Sequence, residues 1–275
     1  MMKQYEQHLE KARGLFGEKK YEQAAAEYIK SLSGMPDDKQ RAIAWAELCW
    51  LFYKQNKNEK CLEAADNALK YDPDYEGRAD LFRLMGFCNM ALQQDNLAEK
   101  YLLQSLEQDR SSEGQQYAIF ELARLYFTQQ KYTPAENLFR EVDSWFYQNH
   151  KEYWLSLLFF QGFICYYGQR FGESEKVFEE LLENASDEKT KATALFGMAF
   201  LTYERKEYLQ TINLCEIITK NDPQFADLET VGFLVASSFH HLGRKDIFQQ
   251  YLEQLRLKFP DGRYKKELER LAESQ

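Results

Sequence analysis

Only 13 glycines and five prolines occur in 275 residues, about half the share of roughly 12% that the two take in an average protein. Folds that depend on many tight turns, the all-β sandwiches and barrels, are excluded by that scarcity. Basic runs are missing too: 35 Lys and Arg stand against 44 Asp and Glu, a net charge of −9. Neutralising a polyanion takes clustered Lys and Arg, so nucleic acid is not an expected partner, and neither is an anionic membrane surface. The longest uncharged run, Tyr153 to Gln169, contains Ser156, Gln161 and two glycines. It is too short and too mixed for a membrane span.

Signatures of chemistry are equally scarce. The five cysteines, Cys49, Cys61, Cys88, Cys165 and Cys215, form no CxxC pair, and an odd number fits a disulfide framework badly, so a reducing cytoplasm is the expected location. Residues 1–13 are charged and amphipathic, unlike a signal peptide, and a removed leader is the alternative that would place the chain in the periplasm or at a membrane. Of four histidines, His8 and His150 stand far apart, and the adjacent His240 and His241 point about 100° apart on a helix, so no ligand pair results. HExxH, an EF-hand loop, a phosphate-cradling glycine loop and a GxSxG elbow are all absent. The carboxylates Glu173, Glu175, Glu179, Glu180 and Glu183 are spaced as a hydrated helix face. No catalytic residue, metal or cofactor is expected.

What is present is a repeat. Units with matching helical stripes start near Tyr5, Ala42, Ala79, Gln116, Leu155, Ala192 and Glu229, at spacings of 37 residues except for 39 between the fourth and fifth. The eighth position of each unit is small: Ala12, Cys49, Gly86, Ala123, Gly162, Ala199 and Ala236. Twelve residues later come Ala24, Cys61, Ala98, Ala135, Ser174, Thr211 and Phe248, small in all but the last. Two backbones must therefore meet closely, which predicts a first helix (A) nested on a second (B) in every unit. Cys49 and Cys61 should approach each other there as small buried hydrophobes, a redox disulfide being the alternative. Pro36, Pro73, Pro223 and Pro260 mark the ends of B helices, and Asp37-Asp38, Ser111-Ser112 and Ser186-Asp187 offer oxygens to cap the helices that follow. The expected organisation is seven hairpins over residues 1–262 and a polar capping helix over 263–275.

The chain resembles the tetratricopeptide repeat family over residues 5–260. The second unit carries the resemblance best, with Trp45, Leu48, Cys49, Phe52, Cys61, Ala65, Ala68 and Pro73 at the family's spacing. The resemblance implies an all-α, right-handed superhelical solenoid of antiparallel helix pairs. The family's common period is about 34 residues, so longer A helices or longer turns must absorb three extra residues per unit. The two further residues fall in Asp143 to Trp154, where Trp145, Phe146, Tyr153 and Trp154 either pack over a longer junction, bend the array or bind a partner.

One stripe of the A helices needs a cause beyond the core. Positions 4, 7, 8 and 11 face the partner helix, and positions 5, 9 and 12 lie roughly 140° away, where an amphipathic helix should be polar. Thirteen of those 21 residues are aromatic. At positions 5 and 12 they are read first as packing between successive A helices, which position 9 fits less well. The resemblance implies that this stripe lines a concave surface that meets peptides. It points to Trp50, Tyr53, Phe87, Phe120, Phe127, Phe159, Phe163, Tyr166, Phe196, Phe200 and Tyr203 as peptide-binding residues, joined by Arg124. Arg13, Arg83 and Arg124 are candidates to hold a carboxylate, or else are solvated or internally paired. The Lys and Asn of the family's chaperone-binding carboxylate clamp are replaced by Leu9 and Arg13, which argues against that ligand.

The function expected is therefore a non-catalytic scaffold binding a protein or peptide partner. Two alternatives are a self-assembling structural protein, possible as a homo-oligomer, and a component of a bacterial envelope assembly. The last rests on Phe259-Pro260-Asp261-Gly262-Arg263-Tyr264, similar to repeat endings of outer-membrane assembly factors.

Overall fold

The computed structural model describes residues 3–110 and 112–273. Among them stand fifteen helices and no strand: α1 (Gln4–Gly17), α2 (Tyr21–Leu32), α3 (Asp38–Lys54), α4 (Asn58–Tyr71), α5 (Arg78–Ala91), α6 (Asp95–Gln108), α7 (Glu113–Thr128), α8 (Tyr132–Asn149), α9 (Lys151–Tyr167), α10 (Phe171–Asn184), α11 (Glu188–Glu204), α12 (Tyr208–Asn221), α13 (Leu228–His241), α14 (Lys245–Lys258) and α15 (Lys265–Glu273). The chain divides into two compact units, Met1–Val142 and Asp143–Gln275. Within the first, α1 packs on α2, α3 on α4 and α5 on α6, with A helices in contact as α3 on α5 and α5 on α7. Within the second, α9 packs on α10, α11 on α12 and α13 on α14, with α9 against α11, α11 against α13 and α13 against α15. The fold is an all-α helical solenoid.

The small residues at positions 8 and 20 meet as the spacing predicts. Ala12, Ala24, Cys49, Cys61, Ala98, Ala123, Ala135, Ser174, Ala199, Thr211 and Ala236 are wholly inaccessible. The Ser174 hydroxyl donates to the Gly162 carbonyl at 2.8 Å, directly joining the two positions. Cys49 and Cys61 bring their Sγ atoms to 3.2 Å as free thiols, and the contact with Cys49, with burial added, pushes Cys61 well above the ordinary thiol range. In the seventh pair the large Phe248 takes this position, fully buried against the His240 ring at 5.2 Å.

Each A-to-B turn is built the same way. Lys19, Asn56, Gln93, Gln130, Gln169, Lys206 and Gly243 all adopt positive φ, between 56° and 71°. In the first turn the Lys19 amide donates to the Phe16 carbonyl at 2.9 Å and the Lys20 amide to the Leu15 carbonyl at 2.9 Å. That pair of bonds is the Schellman motif, which satisfies the last carbonyls of a helix through one left-handed residue. Only one of seven turns uses the residue type, glycine, that takes this conformation without strain.

The three residues beyond the family's common period are absorbed in two ways. α3, α9 and α11 are 17 residues long, whereas α5 and α13 have 14. Before the two shorter helices runs an extra turn, closed by Tyr75 N–H to the Asp72 carbonyl at 3.1 Å and by Phe225 N–H to the Asp222 carbonyl at 3.0 Å. Asp37, Asp187 and Asp227 accept from the amides of Gln40, Thr190 and Thr230 and so cap α3, α11 and α13. Ser112 stands at the start of α7 but its side chain makes no capping bond; Ser111 lies outside the described residues.

The longer junction is packed. α8 runs 18 residues against 14 for most B helices. In the second unit Phe146 is fully buried and stacks on Tyr153 at 5.2 Å, Trp145 lies 5.3 Å from His150, and Tyr147 meets the buried Trp154 at 4.9 Å. At the C-terminal end, α15 buries Leu268 and Leu271 beside α13 and α14. The Phe259–Tyr264 stretch is the turn that delivers it: Arg263 pairs with Asp227 and Glu229, and Tyr264 stacks on Phe233 at 4.1 Å.

Candidate functional site: the aromatic stripe of the A helices

In the first unit the stripe is a mixture of rings and paired charges. Arg13 of α1 reaches Glu47 of α3, with Nη2 at 2.8 Å from Oε1 and Nε at 3.0 and 3.2 Å from the two oxygens. That contact raises the Arg13 pKa further, Glu47 being the main cause. Tyr28 of α2 is buried beside the pair, and burial pushes its phenol well up. Phe16 and Trp50 join these three residues around an open pocket of about 400 Å³.

Further along, Trp50 meets Tyr53 edge-on at 6.3 Å, and Tyr53 lies 6.1 Å from Phe87. Arg83 is inserted between rings, its guanidinium 5.1 Å from the Trp50 centroid and 5.7 Å from that of Phe87, with Nη2 donating to Asp80 at 2.6 Å. It is 7% exposed and its buried Nε has no partner. Arg124 donates from Nη1 to both oxygens of Glu121 at 3.0 and 2.8 Å. Burial outweighs that arginine and leaves the Glu121 carboxyl above its usual range. Phe127 is half-buried against Tyr132 at 5.8 Å. Phe120 is 2% exposed, edge-on to Phe139 at 5.6 Å.

The second unit's stripe has no Lys or Arg at any of its nine positions. Phe163 is its hub, within 4.9 Å of Phe159, 5.3 Å of Phe200, 6.0 Å of Phe196 and 5.2 Å of Phe178. Phe200 touches Phe196 at 5.1 Å and Tyr166 at 5.6 Å. Burial, with the Glu204 carboxylate added, pushes the Tyr166 phenol up to about 12. The Tyr203 hydroxyl bonds Ser237 at 2.6 Å.

Exposure divides the residues predicted from sequence. Trp50, Tyr53, Phe87, Arg124, Phe127, Phe159, Tyr166, Phe200 and Tyr203 are half-buried and present part of a ring or a charge to solvent, and Arg13 is exposed. Phe120, Phe163, Phe196 and Arg83 differ from the expectation of an open binding surface: they are buried. At position 5, Phe196 packs on Phe163 and Arg83 on Trp50 of the preceding A helix, whereas Phe120 packs on Phe139 of its own B helix. For Phe163 the cause is the absence of side chains at Gly162 and Gly197, where an added Cβ would fall 2.5 and 2.3 Å from the Phe178 ring. Phe178 fills that space and draws Phe163 down onto itself. These four residues shape and support the surface. The three arginines each have a carboxylate of the chain itself as partner, Glu47, Asp80 and Glu121.

Sequence reasoning missed one set of residues. Position 17, the first residue of the B helix, is Tyr21, Tyr132, Phe171 and Tyr208 in four units. Each packs across the left-handed turn onto position 12 of its own unit: Phe16–Tyr21 at 5.8 Å, Phe127–Tyr132 at 5.8 Å, Tyr166–Phe171 at 5.7 Å and Tyr203–Tyr208 at 5.8 Å. The signal was available, because these residues recur in the same register as the repeat.

No protein-family model matches the sequence, and no curated protein matches it. Solved structures do. A tetratricopeptide repeat protein from Parabacteroides merdae superposes with a TM-score of 0.63 at 15% identity, over 85% of this chain and 98% of that one. PilF of Pseudomonas aeruginosa gives 0.60 at 15% identity, over 84% and 98%. YrrB, a tetratricopeptide repeat protein described as having an unusual peptide-binding site, gives 0.56 at 13% identity, over 71% and 92%. The chain thus has the fold of tetratricopeptide repeat proteins. Among the described residues no helix is long and apolar enough to cross a membrane, and no cluster of His, Cys, Asp and Glu is arranged to hold a metal ion.

Proposed function

We propose that this chain is a non-catalytic interaction scaffold of seven hairpins over residues 1–262 with a cap over 263–275, and that it binds a segment of a partner protein on the stripe of its A helices. The observation that carries the reading is the set of half-buried rings at positions 9 and 12: Trp50, Tyr53, Phe87, Phe127, Tyr166, Phe200 and Tyr203. Rings that the core does not need to enclose, yet that neighbouring rings hold in fixed orientation, are suited to anchoring another chain at low entropic cost. The peptide-binding site of YrrB lends the reading support by analogy of fold. A protein partner in the cytoplasm fits the free, buried thiols.

The test is affinity capture from native lysate with the wild type, with a Tyr166→Ala, Phe200→Ala variant and with Leu209→Asp as a control. Leu209 is 72% exposed on the B helix α12. A partner retained by the wild type and the control but lost by the double variant, at equal helicity, supports the reading. A partner lost only by Leu209→Asp places recognition on the B helices. Concentration-dependent light scattering of the free protein instead supports self-assembly. An envelope role, the alternative drawn from the Phe259–Tyr264 stretch, requires co-purification with the membrane fraction.

A further inference from the structure

The pocket between α1 and α3 has a composition that selects among ligands. Its walls are Phe16 and Trp50, Tyr28 of α2 lies beside them, and Arg13 and Glu47 complete it. Arg13 is 51% exposed and Glu47 31% in their side chains, so solvent still reaches both. Glu47 neutralises the guanidinium through three contacts of 2.8–3.2 Å. A ligand carboxylate would have to compete with Glu47, which is already in place, and a ligand cation would meet Arg13. Neither charge is complemented, whereas a neutral group is.

The pair is still a dipole. A guanidinium has five N–H donors, and a carboxylate can accept about four hydrogen bonds. Both members keep unused capacity, a donor edge beside an acceptor edge, and a peptide amide offers the matching acceptor and donor. The aromatic walls are also fixed in advance. Trp50 is held by the Arg83 guanidinium over its ring and by Tyr53 edge-on, and Phe16 is held by Tyr21. A pocket of about 400 Å³ admits one large ring, and rings prefer the edge-to-face contacts that such walls provide.

We propose that this pocket takes one uncharged aromatic side chain of an extended peptide, with the Arg13–Glu47 pair bonding the backbone amide next to it. The proposal rests on the scaffold reading above and gives its partner a chemistry: an aromatic anchor with no charged group in its immediate neighbourhood.

The test uses the full-length protein and three small probes with the same indole: N-acetyl-tryptophanamide (neutral), N-acetyl-tryptophan (anionic) and tryptophanamide (cationic at a pH below its amine pKa). Binding is read from the indole N–H resonance of Trp50, one of four tryptophans, assigned with Trp50→Phe. The neutral probe is expected to bind with a Kd of about 0.1–1 mM, at least fivefold more tightly than either charged one. Phe16→Ala should weaken it about tenfold at unchanged helicity. Glu47→Gln frees Arg13 and should invert the order, so that the anionic probe gains about tenfold. That inversion requires no loss of packing.

A wild-type preference for the anionic probe would overturn the proposal in favour of a carboxylate site at Arg13, and a preference for the cation would overturn it in favour of Glu47. No shift of Trp50 with any probe would also overturn it. So would a dimer, in light scattering, that Trp50→Ala converts to monomer, because a second copy would then be the occupant. The three probe results leave the lysate capture with the second-unit variant unaffected, so failure there is distinct from failure of the scaffold reading; a dimer counts against both, and the capture then decides the scaffold reading by itself.

Discussion

The two units build the same stripe with different chemistry. In Met1–Val142 it carries Arg13, Arg83 and Arg124, each held by a carboxylate of the chain, and rings stand between them. In Asp143–Gln275 it carries no cation, and Phe163 gathers its neighbours into a continuous ring cluster. The backbone repeat is common to both, so the difference lies in side chains alone. Similar hairpins thus carry a charge-paired stripe in one half and a ring cluster in the other, at the same positions 5, 9 and 12.

The comparison can be broken most forcefully at Phe178, which is fully buried and fills the space left by Gly162 and Gly197. Phe178→Ala should cost about 3–5 kcal/mol, seen as a fall in the denaturant midpoint, because the second unit's ring cluster loses its base. Gly162→Ala addresses the same contact from the other side. Its new Cβ would sit 2.5 Å from the ring, and a loss of about 1–3 kcal/mol is expected. No gain or loss in the first unit's exchange protection should accompany either change.

The first unit has a pH dependence of its own. Glu27 is buried and bonded to Lys30, His8 and Lys11. Bonds to Lys30 and then His8 hold its carboxyl down at about 2, against 4.5 for a free one. A carboxyl with a depressed folded-state pKa contributes stability that is complete above about pH 4.5 and is lost as the pH falls towards 2. Glu27→Gln should therefore flatten the acid limb of the stability curve between those values and leave the upper limb's shape unchanged. An acid titration of the denaturation midpoint, wild type against variant, checks it.

The smallest effects sharpen the part that the units share. Lys206→Gly, in the second unit, relieves a left-handed residue with φ of 63° and should stabilise by about 0.5–1 kcal/mol, the strain relieved exceeding the backbone entropy lost. Asn56→Gly in the first unit, with φ of 56°, should gain less, because asparagine tolerates this conformation better than lysine does. Thermal melts of the two variants give the order directly.

Much of this was legible in the sequence because the fold is local. A period of 37 residues with small side chains at positions 8 and 20 is a statement about two adjacent helices, and Cys49 and Cys61 meet as that statement requires. Helix ends at Pro36, Pro73, Pro223 and Pro260 follow from one missing N–H. What could not be read depends on partners elsewhere in the chain. The burial of Phe163 is set by Gly197 and Phe178 on other helices, and the pairing of Arg13 with Glu47 spans 34 residues. Ser112 holds the position of a helix cap without performing it. The aromatic residues at position 17 were within reach, since Tyr21, Tyr132, Phe171 and Tyr208 keep the register, but they open the B helix and so lie outside the A-helix stripe.

The central claim is that the half-buried rings of the A helices, and not the B helices, meet the partner. It is tested most directly by placing a photo-crosslinking phenylalanine analogue at Phe200 in one preparation and at Leu209 in another, and irradiating each in native lysate. The account predicts a discrete crosslinked partner from position 200 and none from 209. Crosslinks from 209 alone would contradict it.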